Sequence, residues 1–423
     1  LGRKTVQELS PAALALGQYE CVLTQFADGH RFRGIAGRYS FVSHYVACGS
    51  DLAVQAWWRY RYSGDKSFLR THAYPLLRDT LELYRGLARK EDDGKYHLYG
   101  LNQQEGFWGI NDGVVDLGAI RGTAPLAIRA AEILGVDAEL RDKWREFLKH
   151  LTPYPMGRDP GSQALGRGMM ADDVWSVGHL GDVKRGGKPG ATLAWPIFTF
   201  EDWTLETRDP RLDRIVRKIG ELNYSRVAIA NGSRQPGTHS TLVMGSRIGR
   251  GDDLPAMTAS YYWGSNPLPN GFSEFEGKTA HSIEILGCIA TTLQEGLLQS
   301  ISPRPGQPEI INILPAWPRH WDATFRLLAR GGFLVTVSCR AGRLEFVEVE
   351  SRWGEPCRLR NPWAQPCRLA RSSPSAGDSG RLFDGGVLEF NTTQGHVYRL
   401  LPEDAAQPEP RRVAPRRVTE PTS

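Results

Sequence analysis

Apolar residues recur at helical spacing over the first three hundred positions, and the pattern changes to alternation after Pro303. Residues 40–62 are apolar around most of a helical face and stop at Ser63-Gly64-Asp65, where Asp65 is placed to cap the next helix. That helix carries Leu69, Ala73, Leu76, Leu77, Leu83, Tyr84 and Leu87, and Pro75 early in it predicts a kink or a late start. Residues 114–134 predict an apolar helix stopped by Gly135; Asp137 then reads as the cap of a helix over 138–151 closed by Pro153. Further helices are expected near 195–207 and 209–222. A last long one covers roughly 279–299, with Leu286, Ile289, Leu293 and Leu297 on one stripe. The polar, Gly-rich stretches 157–192 and 231–278 are too long for idle connectors and read as functional loop regions.

Beyond Pro303 the period is two. Residues 332–340 alternate, Ala341-Gly342 makes a turn, and 344–350 alternate again with a phase slip between Phe346 and Val347 that predicts a bulge. Short strands fit 356–361 and 386–400, and the whole reads as a β-sandwich. Runs of helices followed by runs of strands imply separate layers: a helical domain over 1–304, a β-sandwich over 305–402, and a Pro- and Arg-rich tail over 403–423 expected to be disordered.

Composition changes this picture little. Over 423 residues, 40% are hydrophobic and 23% charged, an ordinary soluble balance. No run of about 18 apolar residues calls for a membrane span. The net charge of +5 is small, the tail is balanced, and no basic cluster invites nucleic acid. Cys21, Cys48, Cys288, Cys339, Cys357 and Cys367 lack metal-ligand spacing; Cys288 reads as core, and bridges among the last three are open. A chain starting at Leu1 without a charged-then-apolar leader reads as a fragment or a processed form. The 12 Trp and 14 Tyr mostly suit a core, but Trp108, Trp175 and Trp263 sit beside Gly, Asp and Asn, where a ring can stack on the apolar face of a sugar.

If sugars are the ligands, cleavage needs two carboxyl groups, one to protonate the leaving oxygen and one to activate water or attack carbon. Glu105, in Asn102-Gln103-Gln104-Glu105-Gly106-Phe107-Trp108, lies three residues from an indole that can raise its pKa, though a solvated loop glutamate is the plainer reading. Glu284 sits between two isoleucines at an apolar helix start, near Cys288 and Thr291, where a carboxylate is costly unless it is paired or functional. Asp172-Asp173-Val174-Trp175 with His179 lacks a third ligand and is no metal site; capping or contact with hydroxyls are its two readings. Glu274 and Glu276 read as plain loop charges. No phosphate loop and no Gly-x-Ser-x-Gly elbow appears, so Ser/His/Asp catalysis has no support in the sequence, and no residue pattern implies a cofactor.

Several segments together resemble glycoside hydrolase family 95, the α-L-fucosidase and α-L-galactosidase group. These are Trp57-Trp58-Arg59-Tyr60-Arg61-Tyr62-Ser63-Gly64-Asp65 with Ala73-Tyr74-Pro75; Gln103-Gln104-Glu105-Gly106 with Asp116 and Ile120-Arg121; and Glu284 through Glu295-Gly296-Leu297-Leu298-Gln299-Ser300 to Leu314-Pro315-Ala316-Trp317-Pro318 and Ala329-Arg330-Gly331-Gly332-Phe333. The last is the most specific. The resemblance implies an (α/α)6 six-hairpin barrel, either complete or truncated at its N-terminus, followed by the β-sandwich. It also implies an inverting hydrolase of oligo- or polysaccharides, exo-acting on α-L-fucosides or related sugars. In that reading Glu105 is the general acid and Glu284 the base. Asn102, Asp112 and Asp116 orient the acid or bind hydroxyls, and Trp108, Asp173, Trp175, His179 and Trp263 line the subsite. Localisation is not read from any signal in this chain, and a secreted or periplasmic setting is the favoured expectation.

This sequence departs from the family pattern twice. Glu284 stands where the family has Asp, and nothing in residues 1–50 matches the family's Asn-x-Asn segment. Two other readings therefore stay open: another six-hairpin activity, α-L-rhamnoside hydrolysis or phosphorolysis with Arg247 and Arg250 as the phosphate site, and a non-catalytic sugar-binding relative.

Overall fold

The computed structural model describes residues 45–103, 107, 109–159, 173–180, 189–227, 241–264, 267–270, 272, 283–371 and 380–404. The helices are α1 (Ala47–Ser63), α2 (Tyr74–Leu87), α3 (Val114–Leu134), α4 (Ala138–Lys149), α5 (Pro189–Ala194), α6 (Pro210–Val227), α7 (Thr241–Arg247), α8 (Leu254–Gly264) and α9 (Glu284–Leu297). One continuous apolar core runs through them from Val46 to Ile285.

Helix α1 ends where Gly64 turns left-handed (φ 70°) and donates to Tyr60 O, and Asp65 then accepts the Phe68 N–H at 2.9 Å, as its position in the sequence predicts. Pro75 does not bend a long helix. The chain first makes a π-helical turn, Leu69–Ala73, closed by Tyr74 N–H to Leu69 O, and α2 starts with Pro75 in its first turn, where a missing N–H costs nothing. Asp137 is not the side-chain cap expected of it. It precedes α4 with φ 51°, and its carboxylate is taken by the Tyr74 hydroxyl instead. Helix α3 is buried on nearly all sides and packs on α1, α2 and α4. At Gly122 it comes so close to the next layer that an added methyl would stand 2.7 Å from Phe200 O.

Helix α9 ends at Leu297 and the chain passes directly into a strand. The long strands are β5 (Leu298–Ile301), β6 (Ile310–Ile313), β7 (Ala323–Ala329), β8 (Phe333–Arg340), β9 (Arg343–Ser351), β10 (Cys357–Arg360), β11 (Cys367–Arg371), β12 (Arg381–Phe383), β13 (Val387–Phe390) and β14 (Val397–Pro402), numbered after four two-residue strands in the helical part: β1 (Arg89–Lys90), β2 (Tyr96–His97), β3 (Ile110–Asn111) and β4 (His179–Leu180). They form one sheet in the order β13-β10-β6-β5 and a second in the order β12-β11-β14-β9-β8-β7. The inward side chains of both make a single second core, from Leu298 and Ile311 to Tyr398 and Leu400. The bulge lies at Glu345, just before the phase slip: Ser338 faces Phe346 and Cys339 faces Leu344, leaving Glu345 extra. Cys48, Cys288, Cys339, Cys357 and Cys367 are free thiols, so the last three form no bridge.

The two parts are clamped together. Arg61 of α1 bonds Glu309 through two nitrogens at 3.0 and 3.1 Å and Glu355 at 3.1 Å, and its carbonyl accepts the Gly331 N–H at 2.8 Å. The Trp353 indole covers both Gly64 and Gly332, where any Cβ would strike it. Arg360 of β10 holds the buried Glu206.

Candidate active site

A buried polar cluster surrounds the start of α3. Leu101 and Ile110 exchange both backbone hydrogen bonds, at 3.0 and 2.8 Å, and Gln103 N–H donates to Phe107 O at 2.9 Å, so the stretch folds back on itself as a narrow hairpin. The Asn102 carboxamide oxygen accepts the Gly109 N–H at 3.1 Å across that hairpin. Gln103 turns inward and is fully buried. Its carboxamide oxygen accepts the Val115 N–H at 2.8 Å, one of the unpaired donors of the first turn of α3, and its nitrogen donates to Asp116 Oδ2. The other Asp116 oxygen accepts from the Tyr84 hydroxyl of α2 at 2.6 Å. Burial pushes the Asp116 carboxyl up, the bonds from Tyr84 and Gln103 oppose it, and the outcome is a pKa of about 6.

Next to this trio, Asp112 takes a left-handed backbone (φ 49°) and accepts the Leu98 N–H at 2.9 Å and His97 Nδ1 at 2.7 Å. Burial works against a charged His97, but the bond and charge of Asp112, reinforced by Asp93, outweigh it, and the imidazole pKa is raised. The short strands β3 and β4 pair Asn111 with His179, and Val114 N–H donates to Val177 O at 2.9 Å, so the segment carrying His179 is laid along the same hairpin. Gly178 has no Cβ because Ile110 and the Gly113 backbone occupy that space.

The structure thus brings Asn102, Asp112, Asp116 and His179 together. Trp175 is not at an open rim. At 2% exposure it packs on Tyr154, ring centres 4.7 Å apart, inside the helical core. Asp173 is exposed and bonds Lys218 of α6 at 2.5 Å. Trp263, 71% exposed, stands on α8 against Tyr262; α8 packs on α7 and α9. Glu105 and Trp108 lie outside the described residues, and so does the side chain of Glu284, whose backbone opens α9.

A second polar cluster escaped sequence reasoning. Glu201 is buried with φ 53° and receives Arg330 through two nitrogens, at 2.7 and 2.8 Å, and Arg247 at 2.6 Å; Arg247 also reaches Glu295 of α9 at 2.8 Å. Burial alone would raise the Glu201 pKa, but the two guanidiniums hold it at about 2. The Trp58 ring lies 4.6 Å from the Arg330 guanidinium. Both arginines named for a phosphate site are engaged by carboxylates. Arg247 is buried with its charge balanced by two carboxylates, and Arg250 bonds Asp253 at 2.5 Å.

Comparison with known proteins follows this geometry. Residues 11–163 match the protein-family model described as the glycosyl hydrolase family 95 catalytic domain, and residues 306–400 match that of the glycoside hydrolase family 95 C-terminal domain. Together they take in more than half of the chain, and the protein belongs to glycoside hydrolase family 95. Among solved structures, a putative kojibiose phosphorylase from the human microbiome is similar at 10% identity and a TM-score of 0.44, over 82% of this chain and 50% of that one. A GH127 β-L-arabinofuranosidase from Geobacillus stearothermophilus T6 is similar at 11% identity and a TM-score of 0.29, over 94% of this chain and 79% of that one. The chain thus spans half the length of the first of these structures. No curated protein matches it.

Proposed function

We propose that the protein is an inverting glycoside hydrolase, exo-acting on α-L-fucosides or related sugars of oligo- or polysaccharides. The observation that carries this reading is the occurrence, in order on one chain, of the family's catalytic segment at 11–163 and its C-terminal segment at 306–400. In this reading the helices of residues 1–304 belong to an (α/α)6 barrel, the strands of 305–402 to the β-domain behind it, and 403–423 form a tail.

Glu105 donates its proton to the glycosidic oxygen as the C1–O bond breaks. Glu284 takes a proton from the water whose oxygen bonds C1 from the opposite face. Such a pair works at a separation of roughly 6.5–9.5 Å. The reaction leaves Glu105 ionised and Glu284 protonated, and a proton returned through solvent resets them. Asn102, Asp112 and Asp116 are buried in bonds to their own hairpin, which supports an orienting role. His179, half-buried, and Trp108 and Trp263 are the residues assigned to sugar contact; the burial of Trp175 supports a backing role for it.

The decisive test is release of sugar from aryl α-L-fucosides and α-L-galactosides by the wild type and by Glu105→Gln, with the anomer first formed followed by NMR. The variant should lose about 10²–10⁴-fold in kcat while retaining binding. A wild type that binds sugar but cleaves no aryl glycoside would replace this reading with the non-catalytic one. A product of retained configuration would overturn the inverting assignment.

A further inference from the structure

We propose that a cleft between the helical part and the β-sheets binds the anionic group of an acidic saccharide, a carboxylate or a sulfate ester. The saccharide half of this rests on the hydrolase reading above; the anion half rests on the cleft alone. The cleft, about 340 Å³, is lined by residues 206–209, by Pro303, Arg304 and Gln307 of the turn after β5, and by Ile310 and Arg360. That volume lies at the lower end of small-molecule sites, roughly 300–1,000 Å³, and suits one sugar ring with its substituent. Its walls are held in place before any ligand arrives. Thr204 Oγ1 donates to Ser302 O at 2.7 Å and Thr207 Oγ1 to Pro303 O at 2.8 Å, which ties the two loops together. Arg360 of β10 holds the buried Glu206 through two nitrogens and gives the third to Gly386 O at 2.9 Å. A site fixed in this way loses little freedom on binding.

The groups the cleft leaves open decide the ligand. Its acceptors are engaged. Glu206 is taken by Arg360, and Asp209 accepts the N–H groups of Arg211 and Leu212 at 2.9 and 3.1 Å at the start of α6. Pro303 O is taken by Thr207, and Arg304 O by the Gln307 N–H at 3.2 Å. Its donors are not engaged to the same degree. Arg208, its side chain 69% exposed, reaches Glu206 only at 3.6 Å, beyond hydrogen-bonding range. The Arg304 side chain is exposed and makes no hydrogen bond or ion pair among the described residues. It acts through charge on Asp202, a carboxylate that already accepts the Tyr154 hydroxyl at 2.9 Å. Glu206 thus balances Arg360, and Asp209 is set against the positive end of α6, so Arg208 and Arg304 have no countercharge of their own. Two planar forks of donors beside one cavity match the oxygens of a carboxylate or a sulfate, and such an anion also relieves their mutual repulsion. A neutral sugar supplies no such charge; the exposed Gln307 carboxamide is left for the hydroxyls beside the anion.

Calorimetric titration of the whole chain tests this with four probes: a galacturonate trisaccharide, its methyl ester, a sulfated galactose disaccharide and inorganic phosphate. The trisaccharide or the sulfated disaccharide should bind, and whichever binds more tightly names the anion. The methyl ester, equal in shape but uncharged, should bind at least about 10-fold more weakly than the free acid. Replacing both open arginines, Arg208→Gln with Arg304→Gln, should weaken binding of the acidic saccharide by about 10–100-fold. If that double variant fails to fold, Arg304→Gln alone decides, with a loss of at least about 3-fold expected. Binding of neither acidic saccharide, equal binding of the ester, unchanged affinity in the variants, or tighter binding of phosphate than of any saccharide would each overturn the proposal. Sugar release from aryl fucosides should be unchanged in the double variant. A wild type inactive on those substrates therefore sinks the hydrolase reading and leaves the anion cleft standing.

Discussion

Among the described residues, Asp116 is a carboxyl group with no charged partner in its hydrogen bonds: a phenol and a carboxamide donate to it, and no cation among them offsets its burial. Its pKa is raised from 3.8 to about 6, so the folded protein binds its proton more tightly than the unfolded chain does. The stability linked to that proton is fully present below about pH 4 and is lost as the pH rises through 6, an effect on the order of 3 kcal/mol. Asp116→Asn cannot titrate. Urea unfolding of both proteins between pH 4 and 7 should show the wild type losing stability relative to the variant by about that amount. Parallel curves would mean that the site is wetter than its burial indicates. The sequence made Asp116 a candidate only through a family motif. Gln103 stood in that same motif without a role and Tyr84 counted only as part of a helical stripe, because a glutamine in a loop and a tyrosine on an apolar helix look the same whether or not they meet.

At the scale of elements, spacing carried most of the information. The three-and-four pattern marks α2 and α9, since burying one stripe of a helix leaves that period in the sequence, whereas α3, buried on nearly all sides, is marked by its apolar run and the Gly135 stop. The phase slip near Phe346 marks a bulge displaced by one residue, because a single extra residue reverses which side of the strand is buried. Caps were less legible. Asp65 and Asp137 look alike in sequence, but the second is claimed by a tyrosine 63 positions away. Close approach between layers leaves only a glycine as its trace. At Gly122 the obstacle is the Phe200 backbone, which cannot swing aside, so Gly122→Ala should cost about 1–3 kcal/mol in denaturant unfolding, against a slight gain at an ordinary helix position.

Across the whole molecule the Glu201–Arg330 pair joins residues 129 positions apart, and no periodicity announces such a contact. Glu201→Gln would leave two buried guanidiniums facing a neutral group, with Glu295 the remaining carboxylate beside Arg247. A loss of about 3–5 kcal/mol is expected, with helices and sheets melting together at a lower temperature in calorimetry. Retention of wild-type stability would show that the charges there are solvated. The division into a helical and a strand part was legible from the change of period at Pro303; the surface between them was not, because Arg61, Trp353 and Arg360 look like any solvent-facing residues until the two parts meet.

That surface is also crossed by the polypeptide without a joint. Leu297 is the last residue of a helix and Leu298 the first of a strand, and β5 is laid down before the chain reaches Pro303. The two parts therefore cannot be cloned apart cleanly at the point where the sequence changes its rhythm. A cut there would leave β6 with an unprotected edge and send its neighbour off with the helices as a sticky, unmatched ribbon.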